Sequence, residues 1–275
     1  MPALGKRRPR HRAPRSVTAR PRRSALVELP EAPGARSRPA PLVLPLTSGR
    51  PAWHLAGDAG AVRSLAVLLA VLDLAPPGPL LDLVGDAPEH ALLAAAYSTR
   101  RVRALAADGL MAHAARQAAA SNALPVVVEE RTLGAPPGPT LDDYAATTAL
   151  EPAVLHVGPG VDVGALLAGG SDVLAAHRPW LVVTASDQDL RAASPVEGIV
   201  AQSYGLITEM GVAGSRRVYV LAPEAAPAAL AGRAESWADA LSTALSTALE
   251  RAAAAVHRGG VLDLRNAGSV ARTVP

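Results

Sequence analysis

The 275-residue sequence has no cysteine and no phenylalanine, and Lys6 is its only lysine. Without cysteine there is no disulfide, no thiolate nucleophile and no Cys-ligated zinc or iron–sulfur cluster. Without a lysine past position 6, the folded body holds neither a Schiff-base lysine nor a Walker A lysine. Seven histidines remain, but none pair as H-x-x-x-H or H-E-x-x-H, so no metal site is expected. There is no G-x-S-x-G nucleophile elbow. No apolar run approaches the ~18–20 residues of a membrane span. The longest candidate, Leu65–Leu72, stops at Asp73.

Charge is divided unevenly along the chain. The formal net charge is +3. Residues 1–50 carry 12 Lys and Arg against 2 acids, and residues 51–275 carry 15 Arg against 22 acids. The first part is thus +10 and the second −7. Residues 1–23 alone hold nine Lys and Arg and no acid. Such a segment buries too little apolar surface to order itself, so residues 1–40 are expected to be a disordered basic arm. Arg7-Arg8 and Arg22-Arg23 suggest a twin-arginine signal, but the following Ser24–Glu31 is too short and carries two Glu. Usage rich in Ala, Arg, Gly and Pro points to GC-rich coding DNA and a bacterial source. The expectation is a soluble, cytoplasmic protein. The acidic body argues against nucleic acid as a partner, although the arm could touch an anionic surface.

From about residue 41 to 275 the chain reads as one folded domain. Pro41–Leu46 and Trp53–Leu55 look like short strands, and Ala61–Leu74 has helical spacing. An alternation follows. Strands are expected at 80–84, 101–105, 125–129, 153–157, 180–184 and 217–221. Helices are expected at 89–98, 109–121, 163–176 and 195–210. Strands alternating with helices of this length imply an α/β fold with a mostly parallel sheet flanked by helices. The Ala-rich 225–256 reads as a long helix. Its four-residue period puts Leu241, Leu245 and Leu249 near one face, for packing on the domain or as a homo-oligomer surface.

In a parallel α/β sheet, ligands bind beyond the carboxyl ends of the strands. After the first of the alternating strands stands Asp82-Leu-Val-Gly-Asp-Ala-Pro88, with Gly85 as the one glycine of the turn. After the second comes Ala106-Ala-Asp108, where Asp108 is either a ligand acid or a helix cap. Glu129 and Glu130 end the third, where they would receive an adenine amino group or form a solvated turn. The fourth leads through His156 into Gly158-Pro-Gly160, and His156 reads as a core histidine or a base. Asp142 and Asp143 follow Thr140, as a helix start or a paired-carboxylate site.

At these residues the chain resembles FkbM-type methyltransferases. The family's opening V-L-D-V-G-A-N-I-G is similar to Leu80–Pro88. Its T-L-D-D-L is matched by Thr140–Tyr144. Its K-I-D-V-E-G-x-E-x-x-V-L-x-G resembles His156–Gly169, and its L-x-x-x-R-P-x-L-L-L-E resembles Leu174–Val183. The resemblance covers about residues 55–225. It implies a Rossmann-like class I methyltransferase fold, S-adenosylmethionine as cofactor, and O-methylation of a sugar or small-metabolite hydroxyl. It places Asp82, Gly85, Asp86 and Asp108 at the cofactor, and His156 or Asp143 as proton acceptor. It also shows departures. The ribose acid is Ala106, glycines of the first loop are Val84 and Pro88, and the Lys, Asp and Glu of the fourth-strand signature are His156, Gly158 and Gly160. A second expectation follows from these losses: a non-catalytic relative that binds a partner or serves as a structural subunit.

Overall fold

The computed structural model describes residues 24–27, 42–45, 59–84, 89–134, 137–186, 204–212, 216–223 and 228–257. Two short strands, β1 (Ser24–Val27) and β2 (Leu42–Pro45), pair antiparallel. Part of the segment expected to be a disordered arm is therefore a strand. The expected strand at Trp53–Leu55 and the basic residues 1–23 lie outside the described residues.

A helix, α1 (Ala59–Leu74), leads into the main alternation. This runs β3 (Leu80–Val84), α2 (Glu89–Tyr97), β4 (Val102–Ala106), α3 (Gly109–Ser121) and β5 (Val126–Glu130). It continues with α4 (Leu141–Thr148), β6 (Val154–Val157), α5 (Val163–Ala168), α6 (Ser171–His177) and β7 (Trp180–Ser186). Two antiparallel strands, β8 (Gly205–Val212) and β9 (Arg216–Ala222), and the long helix α7 (Ala229–His257) complete the described elements.

The main sheet has seven strands in the order β5-β4-β3-β6-β7-β9-β8. From β5 to β7 all pairings are parallel, and β9 runs antiparallel to both β7 and β8. The order reverses between β3 and β6, which makes their carboxyl ends the switch point where ligands bind in such sheets. This is the Rossmann-like, mostly parallel arrangement expected for a class I methyltransferase fold.

Because a parallel sheet is covered on both faces, its strands are apolar in both directions. Leu80, Val102, Ala104, Val154, Val182, Val218 and Val220 face the side occupied by α1, α2, α3 and α7. Leu81, Leu83, Leu105, Leu155, Val157, Leu181 and Val183 face α4, α5 and α6. Helix α1 is apolar all round, and Leu65 through Val71 are sealed from solvent. Such a helix needs cover on every side, and α7 supplies it. Leu230, Ala234, Trp237, Leu241 and Leu245 of α7 are buried in the same core. The leucine stripe considered as an oligomer surface is thus used inside the chain at Leu241 and Leu245.

Arg100 closes the end of α1. Its guanidinium donates to the carbonyls of Leu72, Ala75, Pro76 and Gly78 at 2.6–3.1 Å. These include the last helical carbonyls, which no backbone donor would satisfy. Burial lowers the Arg100 pKa, and Asp73 opposes that shift. Gly78 in the same turn has φ of +151°, and a Cβ there would stand 2.7 Å from the Ala153 side chain.

Two expected elements differ. The helix expected over 163–176 is two helices, broken at Gly169-Gly170. A Cβ on Gly170 would meet the Leu141 side chain at 2.7 Å, and one on Gly169 would run into the Gly134 carbonyl. The helix expected over 195–210 is a strand where it is described, Gly205–Val212. Pairing with β9 along its length outweighs the local helical spacing. Among the described residues no helix is long and apolar enough to cross a membrane.

Candidate functional site

Asp82 and His156 stand opposite each other in the parallel register of β3 and β6. Strand alternation turns both side chains to the α1–α2 face, with Leu80 and Val154. His156 Nδ1 lies 2.7 Å from Asp82 Oδ1, and the two side chains are 1% and 0% exposed. The His156 ring stacks on His90 of α2, with centroids 4.6 Å apart. His90 Nε2 is 3.5 Å from Ser64 Oγ of α1, which lies 2.8 Å from Thr184 Oγ1 of β7. A polar string thus crosses the apolar core from β3 to β7. Among the described residues Asp82 Oδ2 and His156 Nε2 have no hydrogen-bond partner. This burial favours the reading of His156 as a core histidine over that of a base.

Asp143 is on the other face of the sheet. Its helix, α4, packs through Leu141, Tyr144 and Ala145 against the opposite core. Its carboxylate accepts from Thr140 Oγ1 at 2.8 Å, while Thr140 Oγ1 accepts from the Asp143 backbone N–H at 3.0 Å. This reciprocal arrangement caps α4. His156 and Asp143, the two expected proton acceptors, are therefore not brought together. Asp142 is also a cap. It accepts from the backbone N–H groups of Val173 at 2.9 Å and Asp172 at 3.2 Å, at the start of α6. The Asp142 N–H donates to Gly169 O. The Thr140–Tyr144 and Leu166–Gly169 pieces, far apart in sequence, thus interlock in space.

At the carboxyl ends of β4 and β5 lie the exposed acids Asp108 and Glu130. Asp108 caps α3, its Oδ1 accepting from Leu110 N at 2.7 Å. The Glu130 carboxylate lies over Gly109, whose Cβ, if it had one, would stand 2.8 Å from Glu130 Oε2. A side chain at position 109 would require the Glu130 carboxylate to shift. The positive end of α3 favours both carboxylates. Leu110, beside them, is 65% exposed. Ala106 ends β4 buried, and its carbonyl accepts from Arg131 N. Gly85 and Asp86, between β3 and α2 in sequence, lie outside the described residues. Glu130 was legible only as one of two acids at a strand end.

Glu129 points to the other face and is occupied. It accepts from Arg103 Nη1 at 2.9 Å and from the Tyr144 hydroxyl at 2.7 Å. Burial, then the Glu129 hydrogen bond, raises the Tyr144 pKa. Among the described residues no cluster of His, Cys, Asp or Glu could hold a metal ion.

The described rim offers an adenosine group two carboxylates and an exposed apolar side chain. It departs from the resembling family at Ala106.

No protein-family model and no curated protein matches this chain. Solved structures that are similar include precorrin-6y C5,15-methyltransferase from Geobacter metallireducens GS-15, with 15% identity and a TM-score of 0.41 over 57% of this chain and 86% of that one. The putative methyltransferase yhhF from Escherichia coli has 14% identity and a TM-score of 0.43, covering 67% and 93%. A ribosomal protein methylase from Lactobacillus delbrueckii subsp. bulgaricus has 14% identity and a TM-score of 0.40, covering 57% and 76%. At this level the likeness is one of chain path only.

Proposed function

We propose that this chain is a divergent FkbM-type methyltransferase that takes S-adenosylmethionine and methylates a hydroxyl of a sugar or small metabolite. The observation that carries the reading is the interlock of the Thr140–Tyr144 and Leu166–Gly169 pieces. The residues that resemble the family most closely hold α4 and α6 together through Asp142 and Gly169. Asp108 would receive the ribose hydroxyls and Glu130 the adenine amino group. Leu110 would offer apolar surface to the base. The cofactor, when bound, supplies an electrophilic methyl group, and the protein's part is binding and alignment. Asp82 and His156 are positioning residues in this reading, because they join the two strands whose loops flank the site. An acceptor at the β6 loop would meet Gly158, Pro159 and Gly160, which bring neither acid nor base, while Asp162 at the end of that loop caps α5.

One observation favours the second reading, a non-catalytic subunit that binds a partner. The carboxylate nearest the ribose position already caps α3, and Ala106 brings none. A thermal melt separates the two. A ligand at ten times its Kd stabilises by about 1.4 kcal/mol, enough to raise the midpoint of a chain this size by roughly 3–6 °C. The expected result is such a rise with millimolar S-adenosylmethionine or its demethylated product. An unchanged midpoint with both ligands removes the methyltransferase reading and leaves the second.

A further inference from the structure

Consecutive residues at the end of β5 point to opposite faces of the sheet. Glu130 lies over Gly109 on the α3 side, whereas Glu129 and Arg131 meet Tyr144 of α4 on the other. Two guanidinium groups converge on that tyrosine. Arg131 lies over the ring face, 5.4 Å from its centroid, and Arg103 Nη1 donates to the hydroxyl at 3.4 Å. The ring is buried, which makes it a fixed platform for the exposed Arg131. One carboxylate serves the cluster. Glu129 Oε1 accepts from Arg103 Nη1 at 2.9 Å and from the Tyr144 hydroxyl at 2.7 Å. Among the described residues Arg131 meets no carboxylate, although Glu130 is its neighbour in sequence.

The cluster therefore carries two guanidinium groups against one carboxylate, in a body that is net −7 over residues 51–275. A held guanidinium with unused planar donors matches a phosphate group, which accepts two parallel N–H bonds. Its place bears on the proposed reaction. Arg131 directly follows Glu130, so the cluster adjoins the proposed cofactor rim at the carboxyl end of the sheet. The chain then runs to Gly134, where a Cβ would touch Ala165 of α5, the helix that follows the β6 loop. We propose that Arg131 and Arg103 receive the phosphate group of a phosphorylated small-molecule acceptor. The acceptor's role rests on the methyltransferase reading, but the binding of the anion does not, and it is measured without cofactor.

Inorganic phosphate is titrated into the full-length chain, with ionic strength held constant by sodium chloride, and its line width is followed by phosphorus NMR. Saturable broadening is expected. Arg131→Gln removes the charge and the planar fork and is expected to weaken binding by roughly tenfold, the worth of one charged hydrogen bond. Arg101→Gln removes the same charge from an exposed arginine level with Pro125, roughly 20 Å back along the strands. It is expected to leave binding unchanged, which separates a site from a general effect of charge. Both positions are exposed, and circular dichroism verifies both folds. Glycerol phosphate, a monoester, is expected to displace phosphate, and glycerol and the diester dimethyl phosphate are not. Phosphate binding beside an unchanged melt with S-adenosylmethionine supports the site and counts against the methyltransferase reading alone. No saturable broadening, equal affinity in Arg131→Gln, an equal loss in Arg101→Gln, or stronger displacement by the diester than by the monoester overturns the proposal.

Discussion

Asp82→Ala lowers the unfolding free energy by about 3–5 kcal/mol, the cost of removing one member of a buried charged or proton-sharing pair. For a chain of this size that is a fall in Tm of roughly 6–20 °C. The reason lies in the register. Asp82 and His156 face each other on adjacent strands at 2.7 Å, both sealed from water. Removing the carboxylate leaves His156 Nδ1 unsatisfied in the core, where an unpaired polar group is costly. The paired change Asp82→Leu/His156→Leu exchanges both for apolar groups and is expected to cost far less than the two single changes combined. A chemical-denaturation cycle measures this directly. Additive single and double effects would show that the pair is not coupled.

Trp237→Ala is the second large loss, about 3–5 kcal/mol. Among the described residues Trp237 is the largest fully buried side chain, and it joins three elements. Its ring meets Tyr97 of α2 edge-on at 4.6 Å, and its Nε1–H donates to Asp73 of α1 at 3.0 Å. Truncation opens a cavity between α1 and α7 and removes a donor from Asp73. Because α1 is apolar on every side, loosening α7 exposes a face that water cannot solvate well. Hydrogen exchange is expected to quicken across α1 and α7 before the sheet. Uniform protection loss across the sheet and both helices would contradict the assignment of Trp237 as the pin of α7.

The sequence was most legible where a local signal and the tertiary demand agreed. The strand at Leu80–Val84 and the helix at Gly109–Ser121 stand where spacing placed them. Legibility failed where distant residues decide. Gly169-Gly170 divides a helical run because Gly134 and Leu141 press against it from another segment. The run ending at Met210 reads as helical by spacing, yet β9 holds Gly205–Val212 as an edge strand. Strand β1 is hidden in a basic segment, since four residues give little periodicity.

The site was legible in the same uneven way. His156 could be read alone as a core histidine, but nothing local showed that Asp82 faces it. Nor did it show that Ser64, His90 and Thr184 extend the string, because register and helix packing bring them together. Asp108 and Asp143 carried a cap reading beside a functional one, and the geometry makes Asp108 the cap of α3 and Asp143 the partner of the Thr140 cap of α4.

The central claim is that the rim formed by Asp108 and Glu130 holds S-adenosylmethionine, and calorimetric titration of the full-length chain tests it most directly. The full chain is needed because β2 pairs with β1, which a chain truncated to begin at residue 41 would lack. The comparison is with Asp108→Asn. Asparagine caps a helix as well as aspartate does, so folding is retained while the charged acceptor for the ribose hydroxyls is lost. A lost charged hydrogen bond is worth ~1.5–3 kcal/mol, or roughly 10- to 150-fold in Kd. The account predicts measurable binding to the wild-type chain, weakened by that factor in the variant, with the two melting alike in the absence of ligand. Equal affinity in both, or no heat of binding in either, would contradict it.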